Sequence, residues 1–168
     1  GEWGFLVDPL DGQKTGLFLD QAENKLITAN YARGRVLDLF CYQGGFAIHA
    51  SSRADEVVAV DSSASALSFL KRNLSENQIS NVTPIESNAF DFLRDCQDRR
   101  EKFDMVILDP PPFARDKKNL LGAARGYKEI NLRAMRILKA GGILVTCSCS
   151  QNFSESSLYE TLLSASQD

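Results

Sequence analysis

Four nearly continuous apolar runs recur along the chain, at Arg35–Phe40, Glu56–Asp61, Phe103–Asp109 and Ile143–Ser148, each rich in Val, Ile and Leu. Runs of this kind suit parallel strands buried on both faces. Between them apolar positions return at helical spacing. Ala66, Leu67, Leu70 and Leu74 follow the cap candidates Ser62 and Ser63, and Tyr127, Ile130, Ala134 and Leu138 precede Gly141-Gly142, a pair expected to end that helix. Asn152 and Glu155 have the spacing of a capping box for a last helix through Leu158 and Leu162. The alternation predicts a βαβ array with right-handed crossovers. Val82–Glu86 is a poorer strand, because Pro84 cannot donate to a ladder, and it is expected at a sheet edge. Gly4–Asp8 and Thr15–Asp20 flank Pro9-Leu10-Asp11-Gly12, which predicts an antiparallel hairpin. Residues 1–30 are therefore read as hairpin and lead-in, and residues 31–168 as the α/β domain.

Two strand ends carry candidate chemistry. Ile107-Leu108-Asp109-Pro110-Pro111-Pro112-Phe113 runs a strand into an acid and a rigid proline loop, at the edge where open α/β sheets bind ligands. An Asp there can accept a hydrogen bond from an amino group, and an aromatic ring beside it can stack on a planar base. Val36 to Phe46 is a strand, a tight turn and a helix start, in which Gly44 and Gly45 are expected to let backbone approach a ligand. An ordinary strand-to-helix turn is the bland alternative. The turn lacks G-x-G-x-x-G, so pyrophosphate binding is poorly supported. Asp38, ahead of the turn, suits a cationic ligand such as an ammonium group, and Asp61, closing the second strand, suits ribose hydroxyls. Together Asp38, Gly44, Gly45 and Asp61 resemble the S-adenosylmethionine site of class I methyltransferases. Asn88 follows the edge strand where that fold meets adenine.

At 168 residues the chain fits one domain with a real core. The net charge of −3 argues against a general nucleic-acid coat. Between Phe113 and Lys128, however, Arg115, Lys117, Lys118, Arg125 and Lys128 face one acid, Asp116. A charge run is usually a solvated face, but its place after the proline loop favours phosphate contact. Cys41, Cys96, Cys147 and Cys149 include no C-x-x-C pair, and His49 is the one histidine, so no metal site is expected. Free thiols fit a reducing cytoplasm. No apolar run reaches membrane-span length, so no membrane association is expected. The chain opens without Met and is expected to be a piece of a longer protein.

Along its length the sequence resembles the YccW-like family of 23S ribosomal RNA cytosine-5 methyltransferases. The motifs that carry the resemblance are Lys14 to Gln21, the Gly44-Gly45 turn, Asp109-Pro110-Pro111, Gly122 to Asn131 and Ser148-Cys149-Ser150. It implies a Rossmann-like class I methyltransferase fold, with sheet order 3-2-1-4-5 and the closing C-terminal strands missing. It implies a cofactor, S-adenosylmethionine, held by Phe18, Asp20, Gln21, Asp38, Phe40, Tyr42, Gly44, Gly45, Asp61, Ser62, Asn88, Ala89 and Asp109. Ribosomal RNA is the implied partner, with Pro110, Pro111, Phe113, Lys117, Lys118, Arg125 and Tyr127 on the substrate side. A homodimer through the exposed sheet edge is expected. The chain departs from the family pattern at Ala22, where Arg is usual, at Pro112, where Lys is usual, and at Asn88, where Asp is common.

Carbon 5 of cytosine is a weak nucleophile until a thiolate adds to carbon 6, so the implied reaction needs a reactive cysteine. Cys149 is the expected nucleophile, with Asp109 holding the N3 and amino edge of the same base. Cys147 and Cys96 are assigned to the core and Cys41 to packing in the turn. Phe113 or Tyr127 is expected to stack on an unpaired base. Two other readings stay open: a methyltransferase acting on guanine or a small molecule, with Cys149 structural, and a cofactor-binding module without turnover.

Overall fold

The computed structural model describes residues 3–6, 18–113, 120–150 and 152–168. After a short 3-10 turn at Leu19–Gln21 come α1 (Ala22–Tyr31), β1 (Arg35–Leu39), α2 (Gly45–Ala50), β2 (Glu56–Asp61), α3 (Ala64–Glu76) and β3 (Val82–Glu86). They are followed by α4 (Ala89–Asp98), β4 (Phe103–Leu108), α5 (Leu120–Arg136), β5 (Leu138–Thr146) and α6 (Glu155–Ala165). The five strands form one parallel sheet in the order β3-β2-β1-β4-β5, as expected.

Side chains alternate across each central strand, so the sheet has a core on both faces. Val36, Val57, Ala59, Met105 and Ile107 pack with Ile48 of α2 and Leu70 of α3. Leu37, Leu39, Val58, Val60, Val106 and Leu108 pack with Leu93 of α4 and with Ile130 and Ala134 of α5. Pro84 lies in β3 opposite Ala59, on an edge strand where its missing N–H is tolerated.

Side-chain caps open α3, α4 and α6. The Ser63 hydroxyl accepts the Ala66 N–H at 3.2 Å to open α3, as its position predicted. The cap of α6 is Ser154, whose hydroxyl accepts the Ser157 N–H at 3.1 Å, rather than the expected Asn152. The capping box fails because Glu155 is the first helical residue, directly after the cap, and not the third.

The end of α5 also differs from expectation. The helix stops at Arg136, and Gly141 and Gly142 lie within β5. The Phe103 N–H donates to the Ile137 carbonyl at 2.9 Å, drawing the chain into the sheet before the glycines are reached. Leu138 pairs with Phe103 and Ile143 with Met105, so the intervening segment bulges. A Cβ on Gly142 would lie 2.9 Å from the Lys139 carbonyl oxygen. The glycines are therefore a bulge signature, not a helix stop.

Most of the expected N-terminal hairpin lies outside the described residues. Its described ends are not paired strands. The Gly4 and Leu6 N–H groups donate to the Asn77 and Asn73 side chains at 2.9 and 2.8 Å, and Leu19–Gln21 is helical.

Candidate active site

The turn between β1 and α2 is built on backbone that ordinary side chains avoid. Phe40, Tyr42 and Gly44 have φ of 61°, 49° and 86°, and Phe18, packed edge-on against Tyr42 at 5.4 Å, has φ of 44°. Of the five non-glycine residues with positive φ among the described residues, Phe18, Phe40 and Tyr42 are here. Strain of this kind persists only where neighbours over-determine it, and it gathers at functional sites.

Asp61 supplies part of that determination. One carboxylate oxygen accepts the Tyr42 N–H at 2.8 Å and the other accepts the Ser63 N–H at 2.9 Å. Each oxygen keeps a lone pair for a further donor. The two glycines also make room for neighbouring side chains. A Cβ on Gly44 would fall 2.2 Å from Leu70 Cδ1, and one on Gly45 would fall 2.7 Å from Lys25 Cε. The Leu70 and Lys25 side chains occupy the space these glycines vacate.

Asp38 is almost wholly buried. Its Oδ2 accepts the Ala47 N–H at 2.9 Å near the start of α2, and Oδ1 is buried without a partner. Burial pushes its carboxyl well above the usual range, and the charge of Asp109 pushes the same way against the Ala47 donor. Lys25, which the sequence reading did not single out, lies buried between these acids. Its ammonium donates to the Phe18 carbonyl at 3.2 Å. Burial lowers its pKa, while Asp109, Asp20 and Asp38 hold it up. The signal that would have found it is its place four residues after Gln21, on the same helical face.

Gln21 links this half of the site to the other. Its Nε2 lies 3.5 Å from Asp109 Oδ1, and its Oε1 accepts the Asn24 amide at 2.6 Å. Asn88 caps α4, with Oδ1 accepting the Phe90 N–H at 2.9 Å. Ala89 is buried and Ser62 and Asp20 are exposed at the rim.

Beyond β4 and β5 the chain stays side by side. The Cys147 N–H donates to the Leu108 carbonyl at 2.8 Å, and the Cys149 thiol lies 3.5 Å from the Pro110 carbonyl. Cys149 and the Asp109-Pro110 loop are therefore neighbours, as adjacent strands required. Cys149 is exposed, whereas Cys41 and Cys96 are buried and Cys147 is half-buried. Burial pushes the Cys41 thiol well up, the Cys96 thiol up to about 11 and the Cys147 thiol up to about 12. The charges of Asp109 and Asp38 add to the shift at Cys147.

Tyr127 contradicts its expected role in stacking on a base. It is fully buried, with its ring against Phe113 at 4.8 Å and Phe153 at 4.9 Å. Phe113, half-buried, also meets Phe90 at 6.3 Å, and Pro111 is exposed beside it. Arg125 is exposed, and Lys128 pairs with Asp168 at 2.7 Å. Lys117 and Lys118 lie outside the described residues. Among the described residues no cluster of His, Cys, Asp or Glu could hold a metal ion, and no helix is long and apolar enough to cross a membrane.

The family described as Conserved hypothetical protein 95 matches residues 20–155, which include Lys25, Asp38, Asp61, Asp109 and Cys149. The chain belongs to this family. Among curated relatives it is 48% identical over 149 residues to Ribosomal RNA large subunit methyltransferase I of Tolumonas auensis, covering 86% of this chain and 37% of the relative. It is 44% identical over 162 residues to the protein of the same name from Aeromonas hydrophila, covering 94% of this chain and 41% of that one. The resemblance drawn from the motifs is thus borne out, and the chain spans about two-fifths of the length of these relatives. The crystal structure of SMU.776 complexed with SAH superposes with a TM-score of 0.86 at 23% identity, covering 97% of this chain and 44% of that one. A SAM-dependent methyltransferase from Agrobacterium tumefaciens superposes at 0.78 and 23% identity, covering 90% and 51%. The fold is the Rossmann-like class I methyltransferase fold expected from the sequence.

Proposed function

We propose that this chain is the catalytic part of an S-adenosylmethionine-dependent methyltransferase that methylates carbon 5 of a cytosine in ribosomal RNA, most simply 23S, through a covalent bond to Cys149. The observation that carries the reading is the exposed Cys149 thiol 3.5 Å from the Pro110 carbonyl, on the loop that begins with Asp109. Of the four cysteines it is the exposed one, and the other three are pushed toward the inert thiol form. The names of the relatives support a ribosomal RNA substrate, and the SAH bound by SMU.776 supports the cofactor.

The residues fit that cofactor. The strained turn, the unpartnered buried oxygen of Asp38 and the spare lone pairs of Asp61 offer acceptors to a ligand bearing an ammonium and two ribose hydroxyls. Phe18, Gln21 and Tyr42 would line it, and Asn88 and Ala89 would meet the adenine. When bound, the cofactor supplies an electrophilic methyl group. Cys149 as thiolate adds to carbon 6 of the base, and the C5–C6 π electrons become available at carbon 5. Asp109 holds the N3 and amino edge, favouring the protonated ring as that charge develops. After methyl transfer a base takes the C5 proton, the C5–C6 double bond re-forms, and the C6–S bond breaks to return the thiolate. Pro110 and Pro111 keep the loop open, and Phe113 offers a face to the base.

The protein is proposed to work in the cytoplasm, where reducing conditions keep Cys149 free. The named relatives do not support the homodimer expected across the β5 edge.

The test uses the full-length protein and mass spectrometry of its RNA. Cys149→Ala is expected to abolish C5 methylation and the covalent complex with 5-fluorocytosine RNA, while S-adenosylmethionine still binds by calorimetry. Cys147→Ala is expected to retain turnover. Continued C5 methylation by Cys149→Ala would overturn the thiol mechanism and leave a methyltransferase of another base or a small molecule.

A further inference from the structure

We infer that Tyr127 is a positioning residue that fixes the Cys149 thiol by gripping the serines on either side of it. The inference rests on Cys149 being the nucleophile. The Tyr127 phenol lies 2.9 Å from the Ser148 hydroxyl and 3.0 Å from the Ser150 hydroxyl. One phenol can donate once and accept once more, so a single side chain satisfies both neighbours.

The need for such a grip follows from the local backbone. β5 ends at Thr146, and residues 147–150 belong to no regular element. Past the Cys147 N–H bond to Leu108, the Ser-Cys-Ser segment has left the sheet ladder that held it. In extended chain, residues i and i+2 share a face and the one between faces away. Drawing Ser148 and Ser150 toward α5 therefore turns Cys149 out, where it is exposed while Ser150 is buried. The grip is itself rigid. The Tyr127 ring is fully buried, with Phe113 edge-on and Phe153 stacked, and Asn131 Nδ2 donates to the Tyr127 carbonyl at 2.8 Å. The same ring contact joins the Phe113 loop to the Ser-Cys-Ser segment, so both flanks of the proposed base site share one anchor on α5.

Tyr127→Phe tests the idea, because it removes the hydroxyl and keeps the ring packing. In full-length protein the single-turnover methylation rate should fall about 10- to 100-fold, the scale of a misplaced reacting group. The RNA KM and the S-adenosylmethionine affinity should stay within about twofold, and melting should remain cooperative. Iodoacetamide alkylation of Cys149 without RNA, followed by peptide mass spectrometry across pH, should show an altered rate profile. Ser148→Ala with Ser150→Ala should match the loss, and adding Tyr127→Phe to that pair should deepen it little, since all three act through one contact. Wild-type methylation and a wild-type alkylation profile in Tyr127→Phe would overturn the inference. So would loss of cofactor binding or of cooperative melting, which would make the phenol a support of the whole fold. Fully multiplicative losses in the triple variant would also overturn it. The alkylation profile reads the thiol's placement even if Cys149→Ala proves active, so failure of the nucleophile assignment and failure of the brace can be told apart.

Discussion

Asp38 sits at 1% exposure with one carboxylate oxygen on the Ala47 N–H and the other without a partner. Ionising it in that place is costly, and burial accordingly raises its pKa well above the ordinary value. A group whose folded pKa is raised lends stability below its unfolded pKa. That stability is lost as pH rises through the folded value. Cofactor-free protein should therefore lose stability through Asp38 from the ordinary carboxylate range, near about 4, upward to its raised value. Asp38→Asn keeps an acceptor for Ala47 and cannot ionise. Its melting temperature relative to the unaltered protein should rise steadily with pH over that window. A difference that stays constant from acid to neutral pH would show that Asp38 does not titrate where its burial requires.

At the scale of elements, the β1–α2 turn shows packing and backbone geometry converging on one residue. Gly44 needs φ of 86°, and a Cβ there would meet Leu70 Cδ1 at 2.2 Å in a fully buried core. Left-handed backbone costs an ordinary residue about 1 kcal/mol, and overpacking adds roughly 1–3 kcal/mol. Gly44→Ala should thus destabilise by about 2–4 kcal/mol in urea unfolding. Leu70→Val should relieve part of it, so the pair should be less than additive. Strict additivity would place the cost in the backbone alone.

The strands were legible because parallel sheets buried on both faces leave unbroken apolar runs, and Pro84 marked the edge strand. Helix ends were less so. Gly141-Gly142 has the composition of a helix stop, and only the pairing of Phe103 with Leu138 makes it a bulge. The helical spacing that groups Tyr127 with Ile130 and Ala134 read its burial correctly, whereas its polar tip suggested a role on the surface. Lys25 escaped because its spacing from Gln21 is a weak signal by itself, and two of the carboxylates around it, Asp38 and Asp109, are distant in sequence.

For the whole molecule the decisive quantity is charge against location. A chain of net −3 repels a polyanion on average, so the proposed RNA substrate would need a local basic surface to hold it. The segment after the proline loop is the surface proposed for that contact, and its described basic residues are not equivalent. Arg125 is exposed on α5, whereas the Lys128 ammonium is turned to the carboxylate of Asp168 at 2.7 Å. An exposed pair of this kind adds little stability, but it moves the cation's field toward its own partner. Arg125→Glu in the full-length protein should weaken RNA binding for every sequence tested and flatten the salt dependence by about one unit of slope. Lys128→Ala should leave both nearly unchanged. Titrations of fluorescent RNA at several salt concentrations measure both quantities together. An equal loss from the two substitutions would mean that Lys128 abandons Asp168 for the backbone. A loss confined to one RNA sequence would mean that Arg125 reads a base instead of a phosphate.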